Sequence, residues 1–200
     1  MKKIILASAS PRRKELLELI GIPFSVVPST AEEVIKEGLT PAEIVESLSL
    51  MKAQSVSDNL QDALVIGSDT IVVLDGEILG KPLNEDDAFK TLQKLQGRAH
   101  YVFSGVAVIE AETGRKKVSH QVTKVYMCEL TDEEIADYIA TKEPMDKAGS
   151  YGIQGLGAIN IEKIEGDFFN VVGLPLALLK TLLNYFDIKI MRDYARTAVK

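Results

Sequence analysis

Residues 4–13 of this chain have the sequence Ile-Ile-Leu-Ala-Ser-Ala-Ser-Pro-Arg-Arg. The apolar run is typical of a buried strand. The Ser10-Pro11 pair that follows is typical of a helix start, because Ser caps helices and Pro fits the first helical position. Arg12 and Arg13 then stand at the positive end of that helix, which costs about 0.3–1 kcal/mol per charge unless an anion binds there. The stretch therefore predicts a strand-to-helix turn that binds a phosphate chain, with a basic surface helix as the alternative.

The composition is that of a folded protein with a substantial core. The chain has 200 residues, of which 46% are hydrophobic, and its formal net charge is −6. This charge argues against non-specific binding of nucleic acid, which depends on many Lys and Arg contacts, but it is compatible with a small bound anion. Cys128 is the single cysteine, which excludes an internal disulfide and favours a cytoplasmic location. The first apolar run is too short for a signal peptide, and we expect no membrane span.

Strand-like runs alternate with helical patterns along the chain. Strands are expected at the apolar runs 4–7, 24–27, 63–67, 71–74 and 158–164. Helices are expected to begin near Pro11, Thr40, Asn84, Thr131 and Pro175. The pattern predicts an α/β protein with a mixed central sheet flanked by helices. Two longer strand-like segments, 101–110 and 117–129, predict a hairpin that forms a second lobe, with a cleft between the lobes.

The motif Gly67-Ser68-Asp69-Thr70 follows the apolar run that starts at Ala63. If the strand ends there, the motif lies where α/β sheets place their ligands. The carboxylate of Asp69 can then bind a metal ion or polarise water. The alternative is that Asp69 begins a turn or caps a segment.

Two further segments carry groups that could bind a nucleotide. Lys81 lies between Gly80 and Pro82, so its backbone position is well defined and its ammonium could meet a phosphate. In the glycine-rich loop 146–157, Lys147 could neutralise charge, Tyr151 could stack, and Gln154 could hydrogen-bond the edge of a base. A lone lysine in a loop, such as Lys81, is usually only solvated, and each of the three side chains in the glycine-rich loop, taken singly, is more often structural.

Several basic residues adjoin predicted strand ends or glycine loops. They are Arg12, Arg13, Lys52, Lys81 and Lys147. If the fold brings them together, they would neutralise a triphosphate while a carboxylate-bound divalent cation bridges its oxygens. Asp69 would then activate water for attack on phosphorus, which is phosphoanhydride hydrolysis.

Other polar residues are less informative. Glu33 could bring a second carboxylate to the site, although the adjacent Glu32 makes an exposed acidic pair the preferred interpretation. His100 and His120 lack a plausible Ser and Asp arrangement, so we expect strand-surface residues rather than a hydrolase base.

Five ordered motifs resemble those of Maf proteins. They are Ser8-x-Ser10-Pro11-Arg12-Arg13, Gly67-Ser68-Asp69-Thr70, Gly80-Lys81-Pro82, Asp146-Lys147-Ala148-Gly149, and Glu165-Gly166-Asp167 with Asn170-Val171-Val172-Gly173-Leu174-Pro175. The resemblance covers about residues 3–190 of a single domain spanning 1–200, and leaves the tail 191–200 without an assigned role. It implies a cytoplasmic, metal-dependent nucleoside triphosphate pyrophosphatase with an elongated fold similar to that of inosine triphosphatases. It also implies a homodimer.

The resemblance carries over to individual residues. The subgroup that acts on dTTP and UTP has Arg, Thr and Gln at its specificity positions, which correspond to Arg12, Thr70 and Gln154. The proton acceptor of the family corresponds to Asp69, which with Glu33 is the expected metal ligand; the cation could be Mg²⁺, Mn²⁺ or Co²⁺. The family's residues that handle phosphate and metal correspond to Ser8, Arg13, Glu33, Lys52 and Lys81. Ser68 and Ser104 depart from the usual Ala and Thr, which leaves the assignment unchanged.

Base selection has a physical interpretation of its own. Gln154 can offer a donor and an acceptor to the O4 and N3–H edge that uracil and thymine share, and cytosine reverses that pattern. Two other functions remain as alternatives to hydrolysis. One is a nucleotidyltransferase, which would need an acceptor substrate. The other is a non-catalytic nucleotide-binding regulator of septum formation, a process with which Maf proteins have been linked.

Overall fold

The computed structural model describes residues 2–33 and 38–192, and these residues form an α/β fold. The strands are β1 (Lys3–Leu6), β2 (Phe24–Val26), β3 (Ala63–Leu74), β4 (Glu77–Leu79), β5 (Ala99–Glu110), β6 (Lys116–Met127) and β7 (Ile161–Glu165). The helices are α1 (Pro11–Leu19), α2 (Pro41–Ser57), α3 (Glu85–Leu95), α4 (Asp132–Ala140), α5 (Phe168–Val172) and α6 (Leu176–Tyr185). Short 3-10 helices cover Glu143–Asp146, Ala148–Ser150 and Gly155–Asn160. Residues 193–200 of the unassigned tail lie outside the described part of the chain.

The sheet is mixed. Its strand order is β2-β1-β3-β5-β6-β7, and β4 pairs with β3 outside this path. Strand β1 is parallel to both β2 and β3, with Leu6 opposite Val26 on one side and Ile66 on the other. The pairs β3–β4 and β6–β7 are antiparallel. The predicted α/β class, with a mixed sheet and helices, is confirmed.

The chain divides into two compact units, each with its own core. Unit 1 comprises the described residues of 1–69, 104–121 and 173–200, and unit 2 comprises 70–103 and 122–172. The core of unit 1 includes Ile5, Ala53, Val65 and Ile109. The core of unit 2 includes Val72, Leu92, Val102 and Ile135. The β5–β6 hairpin forms as predicted, and it contributes to both units: its tip belongs to unit 1 and its base to unit 2.

Most of the helix starts follow their sequence signals. Thr40 and Thr131 each form a complete capping box, and the Asn84 side chain accepts from the N–H of Asp87. The prediction that Ser10 caps α1 is wrong, since its side chain makes no capping hydrogen bond to the described residues. Its own N–H instead donates to the hydroxyl of Ser8, at 3.2 Å. None of the helices described is both long and apolar enough to cross a membrane.

Strand β3 runs through Gly67 without a break, so the prediction that the strand ends before Asp69 is wrong. Gly67 marks a close approach of α2 instead. A Cβ on Gly67 would lie 2.7 Å from the backbone nitrogen of Ala53 and closer still to the carbonyl oxygen of Ser49. Glycine is needed here for space, which allows the α2 backbone to pack directly on the strand.

We expect Gly67→Ala to destabilise the protein by about 3 kcal/mol, because the new methyl group meets α2 backbone atoms that cannot rotate away. The matched control is Gly80→Ala, since a Cβ on Gly80 meets nothing within 4 Å and its φ is ordinary. This control should change stability by less than about 0.5 kcal/mol. Urea unfolding followed by circular dichroism measures both values. Equal stability of the two variants would contradict the close approach.

Candidate active site

Unit 1 brings together three of the predicted site residues. The ammonium of Lys52, on α2, lies 2.5 Å from Oδ1 of Asp69, on β3, and 2.7 Å from Oε1 of Glu33. The side chains of Lys52 and Asp69 are only 15% and 9% exposed, whereas that of Glu33 is 55% exposed. One positive charge therefore lies between two carboxylates at a largely buried point. Glu33 is not simply part of an exposed acidic pair, as its spacing had suggested.

The turn between β1 and α1 is built around Arg13. Its Nη1 donates to the hydroxyl of Ser8, at 3.2 Å, and its Nε donates to the carbonyl of Gly173, at 2.9 Å. Burial lowers the pKa of Arg13 from its ordinary value of 12.5, while the charges of Asp69 and Glu33 act to raise it. Arg13 therefore lies in the electrostatic field of the same two carboxylates. Arg12, its neighbour in the first turn of α1, is half-buried.

Gly173 connects several parts of unit 1 through its carbonyl oxygen. Besides accepting from Arg13, this oxygen lies 3.0 Å from the hydroxyl of Ser68. The same hydroxyl lies 2.9 Å from the carbonyl of Gly105 on β5. Ser68 is fully buried beside Asp69 in the strand, so it helps to fix the stretch that carries the carboxylate. No role was predicted for Ser68, because no sequence pattern distinguishes a buried serine.

The remaining predicted site residues belong to unit 2. Thr70 is half-buried in β3, and Lys81 is exposed in the loop after β4, where no described residue pairs with its ammonium. The ammonium of Lys147 donates to the carbonyl of Glu143 and to Asp146, at 2.5 and 2.8 Å. Gln154 is half-buried, and within the described chain its side chain forms no hydrogen bond. That the groups of the two units act on one substrate stays a prediction.

The glycine-rich loop of unit 2 is held by two side chains that the sequence analysis did not single out, Tyr138 and Glu143. The Tyr138 hydroxyl accepts from the N–H of Gly152, and the Glu143 carboxylate accepts from the N–H groups of Leu156 and Gly157. These contacts join residues 13 or 14 positions apart, and no spacing rule predicts them.

His100 is fully buried, so the prediction of a strand-surface residue is wrong. Its Nε2 lies 2.6 Å from the hydroxyl of Tyr151, and the two rings meet edge to face. Tyr151 is itself buried and therefore does not offer a free face for stacking on a base, as the sequence had suggested. Burial lowers the pKa of His100 to about 4, which keeps the imidazole neutral near pH 7.

A metal site made of protein ligands alone is not present in the described residues. Within 2–33 and 38–192, no three His, Cys, Asp or Glu side chains are grouped closely enough to hold an ion. Asp69 and Glu33 nevertheless approach the same ammonium group, so two carboxylate oxygens face one point. Mg²⁺ is commonly held by one or two carboxylates together with substrate phosphates, and this pair fits that arrangement.

Comparison with known proteins gives matches over nearly the whole chain. A family model described as "Maf-like protein" matches residues 3–186. A protein of Dictyoglomus thermophilum named "dTTP/UTP pyrophosphatase" is 55% identical over 184 residues, which are 92% of this chain and 95% of that relative. A protein of Bacillus cereus (strain G9842) with the same name is 53% identical over 190 residues, 95% of this chain and 98% of the relative.

Solved structures match less closely. The Ham1 protein of Staphylococcus aureus is 18% identical, with a TM-score of 0.49 over 80% of each chain. A nucleoside-triphosphatase / dITP/XTP pyrophosphatase of Mycobacterium abscessus is 15% identical, with a TM-score of 0.44 over 80% of this chain and 82% of the other. These similarities are too weak to support the fold, which is defined by the strands and helices of this chain alone.

The buried imidazole of His100 predicts a stability that depends on pH. Its pKa is about 4 in the folded protein and 6.5 when unperturbed, so between these values only the unfolded chain takes up the proton. Stability is therefore present above pH 6.5 and is lost as the pH falls toward 4. From pH 7 to pH 5 we expect a loss of roughly 2 kcal/mol through this group.

Urea unfolding at pH 7 and pH 5 measures this loss of stability. In His100→Phe, the loss between these two pH values should be smaller by about 2 kcal/mol, because the group that takes up the proton on unfolding is absent. His120→Gln leaves His100 in place and serves as the matched control. If His100→Phe has the pH dependence of the unsubstituted protein, the imidazole is not held neutral by burial.

Proposed function

This chain belongs to the Maf-like protein family, and we infer from that membership that it hydrolyses nucleoside triphosphates to the nucleoside monophosphate and pyrophosphate. The preferred substrates are dTTP and UTP. Relatives that bear the name of this activity are 55% and 53% identical over more than nine-tenths of the chain. The structural observation that carries the proposal is the contact of the largely buried Lys52 and Asp69, in unit 1, where the Lys52 ammonium also meets the more exposed Glu33.

Asp69 is the proton acceptor in the proposed reaction. Water attacks the α-phosphorus, the bond from that phosphorus to the bridging oxygen breaks, and pyrophosphate leaves with the bond electrons. The carboxylate of Asp69 takes the proton that the attacking water loses. Lys52 holds this carboxylate in place and offsets negative charge where the phosphate chain binds.

The phosphate chain is bound by hydrogen-bond donors and positive charges from both units. Ser8 and Arg13 lie at the start of α1, where backbone N–H groups and the helix dipole also favour an anion. Lys81, which has no partner in the described chain, and Lys147 are proposed to bind phosphate from unit 2. Arg13 is already fixed by Gly173, so binding requires little further ordering of its side chain.

A divalent cation fits the carboxylates of Asp69 and Glu33, which we propose as its protein ligands. Mg²⁺, Mn²⁺ and Co²⁺ are all candidates. When bound, the cation would neutralise charge on the phosphate oxygens and orient them. Lys52 contacts both carboxylates, so its ammonium would compete with or move aside for the ion.

Base selection is assigned to Arg12, Thr70 and Gln154. The amide of Gln154 carries both a donor and an acceptor, which match the O4 and N3–H edge of uracil and thymine. Its freedom from other hydrogen bonds in the described chain supports this role. From family membership alone we further propose a cytoplasmic homodimer that binds neither nucleic acid nor membranes.

The test is release of pyrophosphate and orthophosphate from dTTP, UTP, CTP and 7-methyl-GTP, with Mg²⁺ or Mn²⁺ and no acceptor. We expect pyrophosphate rather than orthophosphate, with kcat/KM for dTTP and UTP about tenfold or more above that for CTP. Reactions containing a chelator are the control for the cation and should release none. Turnover only after an acceptor is added would identify a transferase, and binding without any turnover would identify a sensor.

A further inference from the structure

The loop that carries Gln154 is fixed on both sides by one pair of side chains. Before Gln154, the N–H of Gly152 donates to the Tyr138 hydroxyl at 3.1 Å. After it, the N–H groups of Leu156 and Gly157 donate to the Glu143 carboxylate, each at 2.9 Å. All of these residues belong to unit 2.

The two anchors are joined to each other. The Tyr138 hydroxyl donates to Oε1 of Glu143 at 2.9 Å, and this oxygen also accepts from Gly157. Burial acts to raise the pKa of the Glu143 carboxyl, but the hydrogen bonds from Gly157, Leu156 and Tyr138 outweigh it and leave the pKa below its ordinary value. The carboxylate is therefore ionised near neutral pH, and its bonds to the loop are charge-assisted.

Glu143 also accepts hydrogen bonds from backbone N–H groups that have no acceptor within their own helix. Leu156 and Gly157 lie in the first turn of the 3-10 helix Gly155–Asn160, where N–H groups have no partner within the helix. A Cβ on Gly155 would lie 2.6 Å from Oε2 of Glu143, and the φ of Gly155 is +71°. The loop thus packs directly against the carboxylate, in a conformation that favours glycine.

A fixed backbone matters for selection between pyrimidines. The terminal amide of Gln154 can exchange its donor and acceptor by a rotation of about 180°, so by itself it could also match cytosine. Backbone N–H and C=O groups cannot exchange their roles. A loop held in one conformation therefore supplies the constant pattern that a rotating amide lacks, and ordering it in advance lowers the cost of binding.

We propose that Glu143 and Tyr138 are positioning residues for pyrimidine selection, which they exert by holding the backbone on both sides of Gln154. The inference rests on the proposed function, since it requires that Gln154 lies beside the base. Neither residue takes part in the reaction at phosphorus. Their loss should therefore change the ratio of kcat/KM values between nucleotides, mainly through KM, and leave kcat for UTP nearly unchanged.

The experiment compares Glu143→Gln with Glu162→Gln. The first replaces an acceptor oxygen with an NH₂ group that cannot accept from the loop, and the second makes the same change at an exposed residue of β7. We expect Glu143→Gln to lower the UTP-over-CTP ratio of kcat/KM by about tenfold, which corresponds to about 1.4 kcal/mol of differential binding. Amide hydrogen exchange at Leu156 and Gly157, measured without nucleotide, should become faster. Glu162→Gln should change neither quantity.

Tyr138→Phe is a second variant, since it removes one oxygen and keeps the ring. We expect faster exchange at Gly152 and a smaller fall in the same ratio. In the background of Gln154→Ala, Glu143→Gln should still lower the ratio, because the backbone groups that Glu143 holds remain when the amide is removed. A ratio that Glu143→Gln leaves unchanged in this background would overturn the inference.

The outcomes separate this inference from the proposed function. If the unsubstituted protein hydrolyses neither UTP nor CTP, the proposed function fails and this inference fails with it. If the protein selects UTP and Glu143→Gln keeps that selection, or loses kcat equally for both nucleotides, only the positioning role of Glu143 is overturned. Unchanged exchange at Leu156 and Gly157 would also overturn it, whatever the activity.

Discussion

The direct packing of α2 on β3 at Gly67 is the constraint on which the site in unit 1 depends. Because Gly67 has no side chain, the α2 backbone comes close to the strand around Ser49 and Ala53. Lys52 is next to Ala53, and Asp69 lies two residues beyond Gly67. The close approach therefore brings ammonium and carboxylate within 2.5 Å, in surroundings that exclude most water. Electrostatic interactions are strengthened in such surroundings.

In each unit, a few polar groups fix the residues of the predicted site by accepting several hydrogen bonds. In unit 1, the carbonyl of Gly173 accepts from Arg13 and lies within hydrogen-bond distance of the Ser68 hydroxyl. In unit 2, the Glu143 carboxylate and the Tyr138 hydroxyl satisfy backbone N–H groups of the loop. In both, groups that are distant in sequence hold short glycine-containing segments. Side chains expected to meet substrate thus stand on backbone that is already ordered.

The sequence predicted local structure well where a short pattern has a local cause. The helices predicted to begin near Thr40 and Thr131 form, each with a complete capping box, since the determinants of such a helix start lie within four residues. Gly67 was misread as the end of a strand, because the helix that requires it is distant in sequence. The roles of His100 and Glu143 were missed because their partners, too, are not neighbours in the sequence. Their roles come from tertiary contacts that no spacing rule encodes.

Substitution of Asp69 by Asn tests most directly whether the buried contact of Asp69 with Lys52 is the reaction centre. Turnover of UTP and equilibrium binding of UTP should be measured on the same preparation, with the exposed Asp137→Asn on α4 as the matched control. We expect kcat to fall by about 10²–10⁴ while the Kd changes by less than about tenfold, because the amide keeps the shape of the carboxylate but takes up no proton. Retained turnover in Asp69→Asn, with Asp137→Asn unchanged, would contradict a proton acceptor at this position.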